Sequence, residues 1–291
     1  MQTLFPIVDA HQHFWDPRVN YHPWLCDEPP IAFRYGDYSA LRRPYLPADY
    51  FSDVKPHRVV KTVYVETEWD PRDPIGEMRY AARLRSETGF PTVAVAQAWL
   101  ERDDALPTLD ALAQFAFVRG IRNKPRPGQM GDAHWRAGFA QLARRGLRFD
   151  LQAPWRELPE AARLARDFPD TRIILNHTGL PAERSAEALA GWKLALRELA
   201  VFPNVAIKIS GLGVPGRAWT AQANREVVLA AIDLFGIERA MFASNFPVDG
   251  LCASFHAIVT GMRAIVRDFR AAEQRALFHD NAVRIYAMER T

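Results

Sequence analysis

The sequence predicts an α/β fold, a single (β/α)8 barrel with a long insertion after the first strand. Eight short apolar runs recur along the 291 residues, and each ends in a polar residue. Amphipathic stretches, with apolar residues three or four apart, separate most of these runs. Strands that are nearly continuous in Val, Ile and Leu are typical of a parallel sheet covered by helices. Eight repeats without a glycine-rich turn after the first strand favour a closed barrel over an open doubly wound sheet.

The predicted elements follow one another in a regular order along the chain. Each strand is a run of β-branched and other apolar residues bounded by polar or turn residues, which gives strands at 6–9, 59–66, 92–98, 117–122, 147–152, 172–177, 204–210 and 239–245. Helical spacing predicts helices at 75–88, 133–145, 158–167, 189–201 and 221–234. Two more helices, at 254–268 and 271–288, are expected to close the ring of helices.

The segment 14–55 departs from this rhythm and is rich in Pro, Tyr and Trp. A loop of about 40 residues is uncommon unless it has a function. We therefore expect this insertion to lie over the mouth of the barrel, after the first strand. No linker or low-complexity stretch interrupts the rest, so residues 1–291 are predicted to form one domain.

Composition excludes several classes of partner. The net charge is only +3, and no run of basic residues is long enough to follow a nucleic-acid backbone. There is no signal-peptide pattern and no apolar stretch of about 18 residues, so neither export nor a membrane is expected. Cys26 and Cys252 lie far apart without the spacing of a metal or redox site. We expect a cytoplasmic protein that acts on a small molecule, and its oligomeric state is left open.

Polar residues stand at the ends of nearly all the predicted strands. In a barrel of this type the active site lies at the carboxyl ends of the strands. His11 and His13 are two residues apart and so point the same way, and His177 ends the sixth strand. Three imidazoles on a rigid frame suit a catalytic zinc site with an open position. The other candidates at strand ends are Glu66, Gln97, Arg122, Lys124, Asp150, Gln152, Asn176, Lys208, Ser210, Ser244 and Asn245.

Some of these residues have an alternative interpretation as structural groups. Glu66 is either catalytic or the ion-pair partner of Arg122, and Asp150 and Lys208 form a second possible pair, because a buried charge has to be paired or used. Tryptophans more often pack in a core than stack on a substrate. Those that follow strand ends, Trp15, Trp24 and Trp69, are candidates for pocket walls.

Several motifs taken together carry a family resemblance. They are DAHQHFWDP near the N-terminus, VYVET, GIR, ILNHTG and SNFPVD, and they stand at the ends of the first, second, fourth, sixth and eighth predicted strands. In this order and spacing the chain resembles the amidohydrolase superfamily. More narrowly, it is similar to the TIM-barrel branch of lactonases that act on sugar lactones and on 2-pyrone-4,6-dicarboxylate.

The resemblance implies roles for particular residues. The strand-one pair falls on His11 and His13, and the strand-six histidine on His177. These three residues would hold a divalent cation, zinc or manganese, or would polarise the substrate carbonyl without a metal. The family's strand-eight acidic residue, which activates water, falls on position 245, where this chain has Asn245.

This departure matters because an amide is a far poorer base and metal ligand than a carboxylate. Either Asp249 or His177 supplies the base, or the reaction needs none. Asn245 would then orient the water or the carbonyl.

The expected function is a lactonase that opens a small, polar, carboxylated lactone. Residues expected to bind the substrate are Glu66, Arg122, Lys124, Asp150, Lys208 and Trp15. The alternatives are a lactone isomerase, a metal-dependent decarboxylase on the same barrel, and an inactive barrel that binds a ligand.

Overall fold

Eight parallel strands form one sheet, in chain order, in a computed structural model that describes residues 5–288. The strands are β1 (Ile7–Gln12), β2 (Val59–Val65), β3 (Val93–Gln97), β4 (Val118–Asn123), β5 (Arg148–Leu151), β6 (Ile173–Leu175), β7 (Val205–Ile209) and β8 (Ala240–Phe242). Past the end of β8 the chain returns to β1: the Asn245 amide donates to the His11 carbonyl, and the His13 amide to the Phe246 carbonyl, each over 2.8 Å. The sheet is therefore a nearly closed barrel, as predicted.

Helices surround the barrel. They are α1 (Pro23–Cys26), α2 (Pro47–Val54), α3 (Gly76–Thr88), α4 (Ala105–Ala113), α5 (Ala133–Phe139), α6 (Gln141–Arg144), α7 (Leu158–Asp167), α8 (Ala186–Ala200), α9 (Ala221–Phe235), α10 (Phe255–Ile265), α11 (Ala271–Arg275) and α12 (Asn281–Ile285). Side chains of Asp132, Ser185, Thr220 and Ser254 accept a hydrogen bond from an amide in the first turn of α5, α8, α9 and α10. Within residues 5–288, none of the helices has the length and apolarity needed to cross a membrane.

The alternation of side chains along the strands divides the core into two parts. One set packs inside the barrel and includes Val8, Ala10, Val63, Val65, Val95, Ile174, Ala206 and Met241. The other, larger set lies between the strands and the helices. The barrel interior is apolar towards the amino ends of the strands. The polar residues of the same strands therefore lie near the carboxyl ends.

Most of the predicted elements are confirmed, and the differences have local causes. All eight strands occur, with ends shifted by up to three residues. The helix predicted at 133–145 is divided into α5 and α6, and the one predicted at 271–288 consists of α11, a π-helical turn (Ala276–Asp280) and α12. Helix α4 was not predicted.

The segment 14–55 was predicted to be a loop, and it contains α1 and α2. Helix α2 escaped prediction because it has only eight residues, of which Pro47, Tyr50 and Val54 are buried. The earlier part of the segment is held to the barrel by Trp15, which exchanges two backbone hydrogen bonds with Tyr45. Trp15 and Trp24 then pack edge to face, with ring centroids 5.4 Å apart.

Candidate active site

A cavity of about 280 Å³ opens at the carboxyl ends of the strands. The strand ends contribute His13, Arg122, Lys124, Gln152, His177 and Asn245 to its lining. The segment between β1 and β2 contributes Trp15, Trp24, Ile31, Phe33 and Arg34, and Thr67, Glu68 and Val248 complete the wall. Residues of the predicted insertion therefore form one side of the cavity.

His13 presents a hydrogen-bond acceptor to this cavity. Its Nδ1 lies 2.8 Å from the Val65 carbonyl, which can only accept, so the ring proton is on Nδ1. Burial, and then the charge of Arg122, lower the pKa of His13 to about 3. The imidazole is therefore neutral near pH 7, and its Nε2 carries a lone pair.

Asn245 presents a second acceptor beside the first. Its Nδ2 donates to Asp249 Oδ1 over 2.6 Å, which directs its Oδ1 towards His13 Nε2 at 3.3 Å. Two acceptors at this distance do not bond each other, and a molecule with two hydrogens to donate, such as water, satisfies both. The backbone of Asn245 has a φ of 58°, and that of His177 has a φ of 53°. Non-glycine residues in this region are strained and cluster at functional sites.

Asp249 lies behind Asn245 and does not line the cavity. Besides the Asn245 amide, it accepts hydrogen bonds from the Tyr35 hydroxyl (2.9 Å), Arg34 Nη2 (3.3 Å) and the Gly211 amide (3.2 Å). Burial raises the pKa of Asp249, and the Arg34 charge opposes that rise. In this geometry Asp249 orients Asn245.

His177 lines the cavity, and His11 lies directly behind it. Their ring centroids are 4.5 Å apart, and His177 Nδ1 is 3.0 Å from Ser210 Oγ. Burial lowers the pKa of both histidines, assisted by the charge of Lys208 at His11 and of Arg34 at His177. Both rings are therefore neutral. Within the described part of the chain, His11 Nε2 has no hydrogen-bond partner.

The buried charges of the strand ends are paired. Arg122 donates from Nε to Glu66 Oε1 over 2.5 Å and from Nη2 to the Glu66 carbonyl over 2.6 Å. Burial raises the pKa of Glu66, but the charges of Arg122 and Lys124 hold it below its usual value. Lys208 forms an ion pair with Asp150, and both side chains are fully buried. Glu66 is therefore the ion-pair partner of Arg122, and Asp150 is that of Lys208, as the alternative interpretation of these residues predicted.

The structure separates the predicted site residues into two groups. His13, His177, Asn245, Arg122, Lys124 and Trp15 line the cavity, whereas His11, Glu66, Asp150, Lys208 and Asp249 do not. Trp24 is a wall residue as predicted. The same prediction for Trp69 was wrong, because its ring packs on His22 and Tyr80 instead.

Arg34, Tyr35 and Glu68 were not predicted as site residues from the sequence. Arg34 and Tyr35 lie in an aperiodic part of the segment between β1 and β2, which gave no signal for their position. Glu68 forms an ion pair with Lys124 at the cavity wall. Its position just after β2, two residues beyond Glu66, is the sequence signal that predicts a place near the cavity.

A divalent cation held by His11, His13 and His177 would need several donor side chains that converge on one point. Across residues 5–288, no three His, Cys, Asp or Glu side chains are placed to hold a metal ion together. Asn245 replaces the carboxylate, and the Lys208 ammonium lies 3.4 Å from His11 Nδ1, where it opposes a cation. The described side chains therefore do not fit a metal held by His11, His13 and His177.

A polar cavity at the strand ends of a (β/α)8 barrel, with strained backbone beside it, defines a barrel enzyme. The chain belongs to the amidohydrolase family, whose sequence model matches residues 8–288. The predicted family and the predicted hydrolase class are confirmed.

Individual relatives cover nearly the whole chain. An uncharacterised protein of Sinorhizobium fredii, y4mH, is 42% identical, and the alignment covers 96% of this chain and 98% of that protein. An L-fucono-1,5-lactonase of Burkholderia multivorans is 28% identical over 97% of this chain and 96% of its own length. A crystal structure of a Burkholderia multivorans amidohydrolase with bound zinc has a TM-score of 0.83 and 28% identity, covering 97% of this chain and 99% of its own.

Proposed function

We propose that this protein is a lactonase that opens a small, polar lactone of the sugar-acid or pyrone-carboxylate class. The observation that carries the proposal is the acceptor pair formed by His13 Nε2 and Asn245 Oδ1, 3.3 Å apart at the cavity. A water molecule that donates to both would be oriented for attack on a carbonyl held in the cavity. The family and the 28% identity to L-fucono-1,5-lactonases support the same reaction class.

In the proposed reaction, water adds to the lactone carbonyl and gives one proton to His13 Nε2. His13 is suited to this because its other nitrogen is already protonated and bonded to Val65. Asn245 holds the second hydrogen of the water and is itself held by Asp249. The C–O bond of the ring then breaks, and the proton on His13 passes to the leaving ring oxygen. At neutral pH the new carboxylic acid releases one proton to solvent.

The carbonyl oxygen becomes negative during this addition and needs hydrogen-bond donors. His177 and Arg34 line the cavity, and we propose that they stabilise that oxygen. Arg34 makes one hydrogen bond, to Asp249, among the contacts of the described residues, which leaves further guanidinium donors for the substrate.

Recognition of the substrate is proposed to use the groups that line the cavity. Lys124 and Arg122 would bind carboxylate or hydroxyl groups, and Trp15 would pack on the ring. Glu66, Asp150 and Lys208 are buried in ion pairs and do not line the cavity, so no substrate contact is proposed for them. No step of the proposed reaction uses a divalent cation.

A product assay tests the proposal and its alternatives together. Purified protein is incubated with a panel of aldonolactones and pyrone carboxylates, and proton release is followed alongside chromatography of the products. One proton for each ring opened supports the lactonase. Isomerised lactone without proton release identifies an isomerase, carbon dioxide identifies a decarboxylase, and no turnover across the panel contradicts the proposal.

A further inference from the structure

Glu68 combines a strained backbone with a position on the cavity wall. It follows β2, and it is the one acidic residue among the described residues that line the cavity. Its φ is 55°, in the left-handed region that non-glycine residues rarely adopt. Such strain persists only where the surrounding structure enforces it, and it clusters at functional sites.

The contact that holds this backbone comes from Glu66. The Glu68 amide donates to Glu66 Oε2 over 2.6 Å, while Glu66 Oε1 accepts from Arg122 Nε over 2.5 Å. Both Glu66 and Arg122 are buried. A buried ion pair therefore fixes the strained backbone, and the Glu68 side chain itself is 41% exposed at the cavity.

Lys124 lies beside Glu68 and forms an ion pair with it on the cavity wall. Lys124 Nζ donates to Glu68 Oε1, and the Lys124 side chain is 36% exposed. Because exposed ion pairs contribute little to stability, this pair does not offset the strain at Glu68. It does place a group that only accepts hydrogen bonds next to a group that only donates them.

Two such groups side by side match the hydroxyls of a sugar ring. A hydroxyl both donates and accepts, so one hydroxyl can donate to Glu68 while a neighbouring one accepts from Lys124. Hydrogen bonds to charged groups are the stronger ones. A ligand carboxylate can only accept, and the Glu68 charge would repel it. The pair therefore favours a hydroxylated ligand over a carboxylated one.

The other cations of the cavity are neutralised as well. Arg122 pairs with Glu66, and Arg34 pairs with Asp249. Together with the pair of Lys124, this gives a carboxylate partner to every Lys and Arg among the described residues that line the cavity. An uncharged ligand suits such a site better than an anion, since an anion would find each of these cations already paired.

An apolar wall adjoins the Glu68 and Lys124 pair. The Trp24 and Phe33 rings both line the cavity and are stacked, with centroids 5.8 Å apart and planes 8° apart. Trp24 Nε1 donates over 2.8 Å to the carbonyl of Thr67, the residue before Glu68. A pyranose ring has an apolar face and hydroxyls at its edge. Such a ring can pack on the aromatic wall while its hydroxyls bind the charged pair.

We propose that Glu68 is a specificity-determining residue that binds hydroxyl groups of the lactone ring together with Lys124. The substrate is then an uncharged, polyhydroxylated lactone, and carboxylated lactones are rejected. The inference rests on the proposed lactonase function and narrows it to the uncharged members of the sugar-acid class. It differs from the carboxylated lactone that the sequence predicted without Glu68.

Binding of inert analogues tests the inference without turnover. A panel of gluco-, galacto- and manno-configured aldono-1,5-lactams keeps the ring and hydroxyls of the lactones, and piperidin-2-one is the same ring without hydroxyls. Tryptophan fluorescence reports binding, since Trp15 and Trp24 line the cavity. Glu68→Ala should weaken binding of the preferred lactam by about 10- to 100-fold and that of piperidin-2-one by less than about threefold. No lactam bound by the wild type, or an equal effect on both ligands, overturns the inference.

Kinetics test the same residue during turnover. Glu68→Ala should lower kcat/KM for the preferred aldonolactone by about 10- to 100-fold and for δ-valerolactone by less than about threefold. Glu68→Gln keeps an acceptor without the charge, so it should lose less and should be inhibited more strongly by 2-pyrone-4,6-dicarboxylate. Glu226→Ala, which breaks an exposed pair with Lys193, is the matched control. A wild type that prefers a carboxylated lactone contradicts the role.

Glu68→Gly separates recognition from a structural role. Glycine adopts a φ of 55° without strain, so the midpoint of urea unfolding should stay the same or rise while the preference for hydroxylated ligands is lost. A large fall in that midpoint overturns the inference, because the side chain would then serve the fold. If lactams bind through Glu68 but no lactone is opened, the proposed function fails alone. If lactones are opened and Glu68→Ala affects all ligands equally, the inference fails alone.

Discussion

His13 Nε2 and Asn245 Oδ1 face each other across 3.3 Å at the cavity, although neither has a hydrogen to donate. The Val65 carbonyl accepts from His13 Nδ1, so the ring proton is on that nitrogen. The Asp249 carboxylate accepts from Asn245 Nδ2, which sets the orientation of the side-chain amide. The two acceptors are thus oriented by independent contacts. A water molecule that donates to both acceptors would satisfy them and would give the proposed lactonase its nucleophile.

Replacing His13 tests the base directly. His13→Ala is expected to lower kcat by a factor of about 10² to 10⁴, the usual contribution of a positioned base. Initial rates of lactone opening measure this effect. His134→Ala is the control, since His134 is mostly exposed and does not line the cavity. A loss of less than about threefold in His13→Ala would assign the base elsewhere.

The pH dependence of the rate follows from the environment of His13. Burial lowers its pKa to about 3, so the base stays unprotonated well below the ordinary histidine range. We expect kcat/KM to stay flat between pH 5 and 7, measured by chromatography of remaining lactone with spontaneous opening subtracted. An acid limb centred near pH 6.5 would show that the base is a solvated histidine instead.

Asn245→Asp probes the contact with Asp249. The new carboxylate would lie beside Asp249 Oδ1, where the amide now donates over 2.6 Å, and two such carboxylates share one proton. The shared proton raises the pKa of the folded pair above the pKa of the unfolded carboxyls. The free energy of unfolding of the variant should therefore fall as pH rises, by about 1–3 kcal/mol.

Urea unfolding at pH 5 and pH 8 measures that change. Asn245→Leu is the comparison, because it removes the amide without adding a charge, and its loss of stability should vary little between the two pH values. An Asn245→Asp protein that is equally stable at both values would contradict the predicted pairing.

Glu77 at the start of α3 gives a second pH prediction. Its carboxylate accepts from the Tyr64 hydroxyl and from the Thr67 amide and hydroxyl, and burial, followed by the charge of Glu66, raises its pKa to about 7. The folded protein therefore binds a proton that the unfolded chain releases, and stability falls as pH rises from the unfolded pKa of about 4.5 to about 7.

Glu77→Gln keeps an acceptor for these bonds and removes the titration. The free energy of unfolding of the variant minus that of the wild type should be larger at pH 8 than at pH 5. The increase should be up to about 3 kcal/mol. Urea unfolding at both values measures the difference. Glu87→Gln, on an exposed part of α3, is the control. Parallel pH profiles for the wild type and Glu77→Gln would show that Glu77 is ionised throughout.

The barrel and part of the site could be predicted from the sequence. Runs of Val, Ile and Leu mark strands, and His11 and His13 are recognisable because residues two apart on a strand share a face. The depth of a side chain is not encoded in that alternation. Lys208 and Asp150 point inward as expected, yet they lie in a buried layer away from the cavity and pair with each other.

Contacts between distant segments were also beyond prediction. Arg34 and Tyr35 reach Asp249 across more than 200 residues, from a segment without periodicity. The contact of Asn245 with Asp249 was easier to predict, since the two residues are only four apart in the chain and the Asp249 backbone amide donates to the Asn245 carbonyl over 3.0 Å. Asp249 orients Asn245, but the sequence alone did not distinguish this role from that of a base.

His13 and Asn245 are proposed to activate water for lactone opening without a metal ion. The most direct measurement is a pH-indicator assay of lactone opening by the wild type and His13→Ala, before and after removal of metals with a chelator. We expect proton release by the wild type that survives chelation and is lost in His13→Ala. Release that disappears on chelation and returns with zinc or manganese would contradict the proposal.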